Sequence, residues 1–357
     1  MAEPADSAAA GPSRPSHPPP VDPDADLRLR LREATHKATR RDPYDWQLDI
    51  AVALCRGRDV LCLSPTGSGK TLAFVMPCFV EPRTLVWIVS PLNYIEQQQA
   101  RVFRDDWHLD AVAVNATTSY PGLHKVRRRV SLASQRLAEA TQDISNGKYR
   151  VIISSPEQLL EYNKLRPLVI QLAGQGYKHV VVVDECHCIC VWSENFRKMY
   201  GLIGSLRTFL LPGTPFCAAT ATATQSMKKQ ILSSLHYTDS YLPINRGYWK
   251  PNLSWHIYYM YGSNSSVGEV TQMFPKNLNS ESVIPQTIIF VDERGLAFRM
   301  MDVLREFLPP ELGSQVEVYH ALQSQLAKDL TAKRFEKGEI RILICTEALT
   351  MVSTNEH

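Results

Sequence analysis

The run Ser64-Pro65-Thr66-Gly67-Ser68-Gly69-Lys70-Thr71 follows an apolar stretch and opens a helix-favouring one. Gly67 and Gly69 let the backbone curl so that its N–H groups face phosphate oxygens at a helix N-terminus. Lys70 is placed to neutralise the β- and γ-phosphates of a nucleotide, and the Thr71 hydroxyl to coordinate Mg²⁺. Ser64 stands where the strictest form of such a loop has glycine. A second run, Val180-Val181-Val182-Val183-Asp184-Glu185-Cys186-His187, puts two carboxylates at the end of a buried strand. Ligands bind there in open α/β sheets. In that setting Asp184 would hold Mg²⁺ directly or through water, and Glu185 would orient the water that attacks the γ-phosphate. An acidic pair alone is often just a solvated strand end. The upstream loop is what gives it chemistry.

These residues need a scaffold, and the chain supplies one. Short β-branched runs at Val60–Leu63, Thr84–Val89, Ala111–Val114, Val151–Ile153, Val180–Val183 and Phe216–Ala219 read as strands. Helical patterns lie between them at Lys70–Phe79, Asn93–Phe103, Val126–Ile144 and Pro156–Leu172. The strands are continuous apolar runs, as expected when helices cover both faces of a parallel sheet. A polar, aromatic stretch over residues 238–272 interrupts the alternation. It restarts with strands at Thr287–Val291, Val316–Tyr319 and Ile340–Cys345, and helices at Arg294–Phe307 and Ser324–Glu336. The expected fold class is α/β, with two lobes built on parallel sheets and a connector between them.

Residues 1–26 hold seven prolines and almost no large apolar side chains, so a disordered tail is expected. From Leu27 to Arg41 there are six Lys/Arg and one Glu, and a helix is the favoured reading. Of 357 residues, 44% are hydrophobic and 21% charged, which suits a soluble globular chain. The formal net charge of +3 neither demands nor excludes a polyanionic partner. No apolar run approaches the roughly 18 residues of a membrane span, and the N-terminus shows no signal-peptide pattern. Eight cysteines are too sparse for a disulfide scaffold. Cys186, Cys188 and Cys190 are spaced by single residues with no second Cys/His cluster to complete a zinc site. The basic cluster Lys125, Arg127, Arg128 and Arg129 reads as a solvated helix face.

Taken together the motifs resemble the RecQ family of superfamily-two DNA helicases. Asp184-Glu185-Cys186-His187 matches a DExH box, and Cys188 through Arg197 is similar to the aromatic-rich loop that follows it in that family. Asp45-Trp46-Gln47 resembles an adenine-reading segment, with Tyr44 available to stack on the base. The Gln47 amide can pair bidentately with adenine N6 and N7. A solvated helix position explains that residue equally well. Ser90-Pro91-Leu92 and Ser154-Ser155-Pro156-Glu157 resemble single-strand contact motifs. Thr220-Ala221-Thr222-Ala223 resembles the motif that couples the two activities, in which His187 is also implied. Pro251-Asn252-Leu253 resembles the connector. Ile288-Ile289-Phe290-Val291, Tyr319-His320-Ala321 and Thr346-Glu347-Ala348 resemble second-lobe motifs, with Thr346 a strand contact. Trp192 and Phe196 could stack on bases with Arg197 near a phosphate, or pack in the core at four-residue helical spacing.

The resemblance implies two RecA-like lobes, one over residues 27–244 and a partial one over 273–357, joined by a connector over 245–272. It implies ATP and Mg²⁺ as cofactors, single-stranded and duplex DNA as partners, 3′-to-5′ unwinding, and residence in the nucleus. An RNA helicase of the same superfamily is the alternative against which the aromatic loop argues. Two departures qualify it. Met351 is followed by Val352 where the family usually has glycine, and the sequence given ends at His357, before the motif that carries the family's arginine finger. The expectation is therefore a C-terminally truncated, nucleotide-binding chain that hydrolyses ATP slowly and does not unwind a duplex by itself. A hydrolysis-deficient ATP- and nucleic-acid-binding protein is the second alternative.

Overall fold

The computed structural model describes residues 23–91, 93–114, 137–161, 165–192, 198–247, 252–262 and 267–346. Its centre is a sheet built from β1 (Val60–Leu63), β2 (Thr84–Val89), β3 (Ala111–Val114), β4 (Val151–Ser154), β5 (Lys178–Val183), β6 (Phe216–Thr220) and β7 (Leu242–Asn245). The spatial order is β3-β4-β2-β5-β6-β1-β7, and every neighbouring pair is parallel. Two apolar layers cover it. Val86, Ile88, Val180 and Val182 pack with α1 (Ala25–Thr39), α2 (Asp45–Cys55) and α3 (Lys70–Val80) on one face. Leu85, Trp87, Val181 and Val183 pack on the other face with the helices over Pro156–Leu160 and Arg166–Gly174 and the 3₁₀ turns over Lys198–Thr208. Both faces of β2 and β5 are thus buried, which is why those strands are apolar without alternation. A second parallel sheet, in the order β8-β10-β9, comprises β8 (Thr287–Phe290), β9 (Val316–Tyr319) and β10 (Ile342–Cys345).

Several expected elements shift, each for a local reason. The basic segment is helical from Ala25, inside the expected tail, and stops at Thr39 where Arg40 turns left-handed at φ 59°. The expected helix over Pro156–Leu172 is two helices. Pro167 lacks an N–H and is tolerated in a first turn, so the second helix starts at Arg166 after Glu161 has become extended. The helix from Asn93, here α4, ends at Arg101 and continues as a π turn over Val102–Asp106. Of the helix expected over Val126–Ile144, residues 137–145 are helical and 126–136 lie outside the described residues. The helix expected from Ser324 begins at Gln325, with the Ser324 hydroxyl accepting from Ala327 N–H as an N-cap. The strands at Thr287 and Ile340 are trimmed to Thr287–Phe290 and Ile342–Cys345. Leu242–Asn245, inside the stretch read as an interruption, pairs with β1 and carries the first sheet one residue past 244. A four-residue edge strand with half-exposed side chains leaves too weak a hydrophobic pattern to be seen in advance.

One buried polar pair on β2 and β5 is open to a pH test. Trp87 Nε1–H donates to His179 Nδ1 at 2.9 Å, and both side chains are buried. Burial pushes the His179 pKa down from 6.5 to about 4. The folded value is the lower one, so the unfolded chain takes up the extra proton. The stabilisation is complete above pH 6.5 and is lost as pH falls toward 4. It amounts to on the order of 3 kcal/mol. His179→Gln keeps an acceptor for Trp87 and removes the titration. Urea unfolding is expected to show parental stability falling more steeply than the variant's between neutral pH and pH 4. Parallel curves would contradict this.

Candidate active site

The phosphate-loop residues leave the sheet at its C-terminal edge between β1 and α3. Ser64 is fully buried, its N–H donating to Thr220 O at 3.1 Å and its hydroxyl to Ser68 Oγ at 2.7 Å. Pro65 and Thr66 then carry the chain outward, and Thr66, Gly67 and Gly69 are exposed. Gly67 and Gly69 sit at φ 77° and 83°, where a side chain is strained. A Cβ at Gly69 would also lie 2.8 Å from Gln47 Nε2. Lys70 Nζ folds back on the loop, donating to Ser64 O at 2.9 Å and Pro65 O at 3.1 Å. Thr71 follows in the first turn of α3. A glycine cradle at a helix N-terminus, holding one lysine within it, fits a polyphosphate.

Gln47 is neither solvated nor free. It is buried in α2, accepts from Tyr44 N–H at 2.8 Å through Oε1, and donates from Nε2 to Gly69 O at 2.8 Å. Tyr44 is the exposed residue that caps α2. One Gln47 N–H and one Oε1 lone pair remain for a ligand.

The acidic pair follows β5, and β6 separates β5 from β1 in the sheet. Asp184 is buried, with its N–H on Val89 O at 3.0 Å and Oδ1 accepting from Glu185 N–H at 3.0 Å. Glu185 adopts φ 47°, a left-handed backbone that bulky residues avoid and functional turns retain. Its Oε2 lies 3.1 Å from His187 Nδ1, which is also 2.9 Å from Thr220 Oγ1. Thr220 Oγ1 in turn accepts from Thr222 N–H and donates to Thr222 O, each at 3.2 Å. Glu185, His187, Thr220 and Thr222 therefore form one chain of contacts across the ends of β5 and β6.

The two carboxylates are driven in opposite directions. Burial, and then the Glu185 charge, raise Asp184 above the usual carboxylate range, while Lys70, the Glu185 amide and Gln99 oppose that rise. Burial also acts to raise Glu185, but its hydrogen bond to His187, the His187 and Lys70 charges and Thr220 hold it below the usual value. Environments that split a pair in this way assign separate roles to its members. Glu185 is the ionised group able to accept a hydrogen bond from water. Asp184, whose charge burial disfavours, is the group whose ionised state a divalent cation would stabilise. Among the described residues no group of three or more His, Cys, Asp or Glu side chains is arranged to hold a metal ion. A cation using one carboxylate, one hydroxyl and nucleotide phosphates suits Mg²⁺, which keeps much of its water. Cys186 is buried and its thiol is pushed well up, so it is no nucleophile.

Ser90 and Pro91, buried at the end of β2, lie beside Ser154 at the end of β4. Ser90 N–H donates to Ser154 O at 3.1 Å, and both serine hydroxyls are buried with no hydrogen-bond partner among the described residues. Trp192 ends a short helix from Cys188, but its side chain, and Phe196 and Arg197 entirely, lie outside the described residues. Thr346 directly follows β10 of the second sheet, and its N–H donates to Tyr319 O at 3.3 Å. One residue at the site has no counterpart in the sequence reading. Gln99, on α4, donates from Nε2 to Asp184 Oδ2 at 3.4 Å. It is the last of three consecutive glutamines, and nothing in their spacing marks which one turns inward.

A parallel sheet with a phosphate loop after one strand and an acidic pair after another defines a nucleotide-binding domain of the RecA-like class. The chain belongs to the DEAD/DEAH box helicase family, whose sequence profile matches residues 44–230, just over half of its length. Its relatives include the ATP-dependent DNA helicase Q-like 4B of Arabidopsis thaliana, 25% identical over 307 residues, covering 85% of this chain and 24% of that protein. The ATP-dependent DNA helicase RecQ of Synechocystis sp. is 26% identical over 329 residues, covering 90% of this chain and 62% of that one. Among solved structures, the DUF1998 helicase MrfA bound to DNA and AMPPNP superposes with a TM-score of 0.58 at 16% identity, covering 94% of this chain and 45% of MrfA. The chain thus spans only part of each relative.

Proposed function

We propose that the chain forms the ATP-binding core of a 3′-to-5′ DNA helicase of RecQ type. The observation that carries the reading is the meeting of the phosphate loop, the Asp184–Glu185 pair and the His187–Thr220 contact at one sheet edge. The Ser90 and Ser154 hydroxyls stand at the ends of the strands beside them. In this reading Gly67, Gly69 and Lys70 hold the triphosphate, and Gln47 and Tyr44 take the adenine. Asp184 and Thr71 hold Mg²⁺, which would neutralise phosphate charge. Glu185 orients the attacking water, and its contact through His187 to Thr220 makes the water's position sensitive to whatever moves β6. Ser90, Pro91, Trp192, Phe196, Arg197 and Thr346 contact single-stranded DNA. Both relatives described above are DNA helicases, which favours DNA over RNA, and a DNA substrate is the sole ground for proposing residence in the nucleus. No helix among the described residues is long and apolar enough to cross a membrane.

The test is ATP turnover with single-stranded DNA, with RNA and with neither, followed by strand displacement on 3′-tailed and 5′-tailed duplexes. DNA-stimulated turnover, however slow, with any strand displacement confined to the 3′-tailed duplex, is the expected result for the helicase. Stimulation by RNA alone would favour the RNA helicase. Nucleotide and strand binding without turnover would favour the hydrolysis-deficient binding protein.

A further inference from the structure

The β2–α4 unit holds Asp184 at two points. Val89, the residue before Ser90, accepts the Asp184 N–H at 3.0 Å, and Gln99 on α4 donates to Asp184 Oδ2 at 3.4 Å. Between them the chain runs through Ser90 and Pro91 and into α4, which packs against β3 and β4. The other Asp184 oxygen accepts the Glu185 N–H, so the rotation of the carboxylate is set jointly by the Glu185 amide and Gln99. The far end of that amide, Oε1, is buried and has no hydrogen-bond partner among the described residues. A ligand group held this way follows the helix that carries its donor.

We propose that Gln99 is a positioning residue that sets the Asp184 carboxylate for Mg²⁺ and links its setting to the Ser90–Pro91 strand contact. This rests on reading Asp184 as the metal-binding carboxylate and Ser90–Pro91 as a contact for single-stranded DNA. Ser90 and Pro91 are buried, so a strand that engages them must shift the segment between Val89 and α4, and with it the Val89 and Gln99 attachments of Asp184. Binding at the sheet edge by nucleic acid and binding by the Mg²⁺–nucleotide are thereby one linked equilibrium, and each strengthens the other by the same factor.

The experiment is a fluorescent-ATP titration over a range of Mg²⁺ concentrations, with and without an oligothymidine, on the parent and on Gln99→Met. Methionine keeps the length and helix preference of glutamine and removes the donor. The Mg²⁺ midpoint is expected to rise roughly tenfold, the usual cost of losing such a partner. The factor by which the oligonucleotide tightens Mg²⁺–ATP binding should fall toward one. Affinity for metal-free ATP, and for the oligonucleotide alone, should stay within about twofold of the parent, a separation that simple destabilisation would not give. Gln99→Ala, checked for folding by circular dichroism, serves if the methionine variant does not fold. A parental midpoint and a parental coupling factor in a folded variant would overturn the proposal, as would a raised midpoint with coupling unchanged. A parent whose ATP affinity ignores Mg²⁺ would overturn the Asp184 reading itself, and the proposal with it.

Discussion

Lys70→Ala is expected to weaken ATP binding on the order of a hundredfold, the loss of hydrogen bonds from a full charge to phosphate. In the structure Nζ is anchored by the Ser64 and Pro65 carbonyls, inside the curl of the loop where a phosphate would sit. The ammonium is therefore already held within the loop, so part of the cost of ordering the side chain is met before phosphate binds. Lys70 is half-exposed and lies outside both apolar layers, so the fold should be unaffected. Nucleotide titration with the far-ultraviolet spectrum as control reads both effects. ATP affinity within about twofold of the parent would remove the phosphate-loop assignment.

Glu185→Gln is expected to separate hydrolysis from binding. The Glu185 carboxylate is held ionised by His187 and Lys70 despite its burial, the state needed to accept a hydrogen bond from water. The amide replacing it fills the same space and can still accept from His187, but it is a far weaker base. Whatever turnover the parent shows should fall about 10²–10⁴-fold, the range for a lost general base. Mg²⁺–ATP affinity should remain within about twofold, because Asp184 and Thr71 are untouched. Asp184→Asn should instead abolish the response of nucleotide binding to Mg²⁺. Equal losses of nucleotide binding in the two variants would defeat this division of roles.

Residue types made much of this legible in the sequence. The glycines of the loop and the four valines before Asp184 carry much of their structural context with them, since a continuous apolar run fits a strand covered on both faces, as in a parallel sheet. The order of the strands was not legible, because continuous apolar runs carry no register and no preference among neighbours. Only the structure shows that β6 stands between β1 and β5 and so brings Thr220 within 2.9 Å of His187. Gln47 was ambiguous for a related reason. Its partner Gly69 lies 22 positions away, and a glutamine on an amphipathic helix looks the same whether it faces solvent or a loop. Gln99 was invisible because three adjacent glutamines point three ways around a helix. Pro167 sits in the first turn of the second helix after β4, where a missing N–H is tolerated, and marks the start of that helix.

The most direct measurement is the affinity of the purified chain for a fluorescent oligothymidine, by anisotropy, with and without a saturating Mg²⁺–ATP analogue that cannot be hydrolysed. In the proposed helicase the nucleotide and strand sites are coupled, so the nucleotide is expected to shift oligonucleotide affinity by roughly 5–150-fold, the range of such couplings. The shift should be absent in Lys70→Ala. An oligonucleotide affinity that is the same with and without the nucleotide, in a chain shown to bind both, would contradict an ATP-driven strand-binding machine.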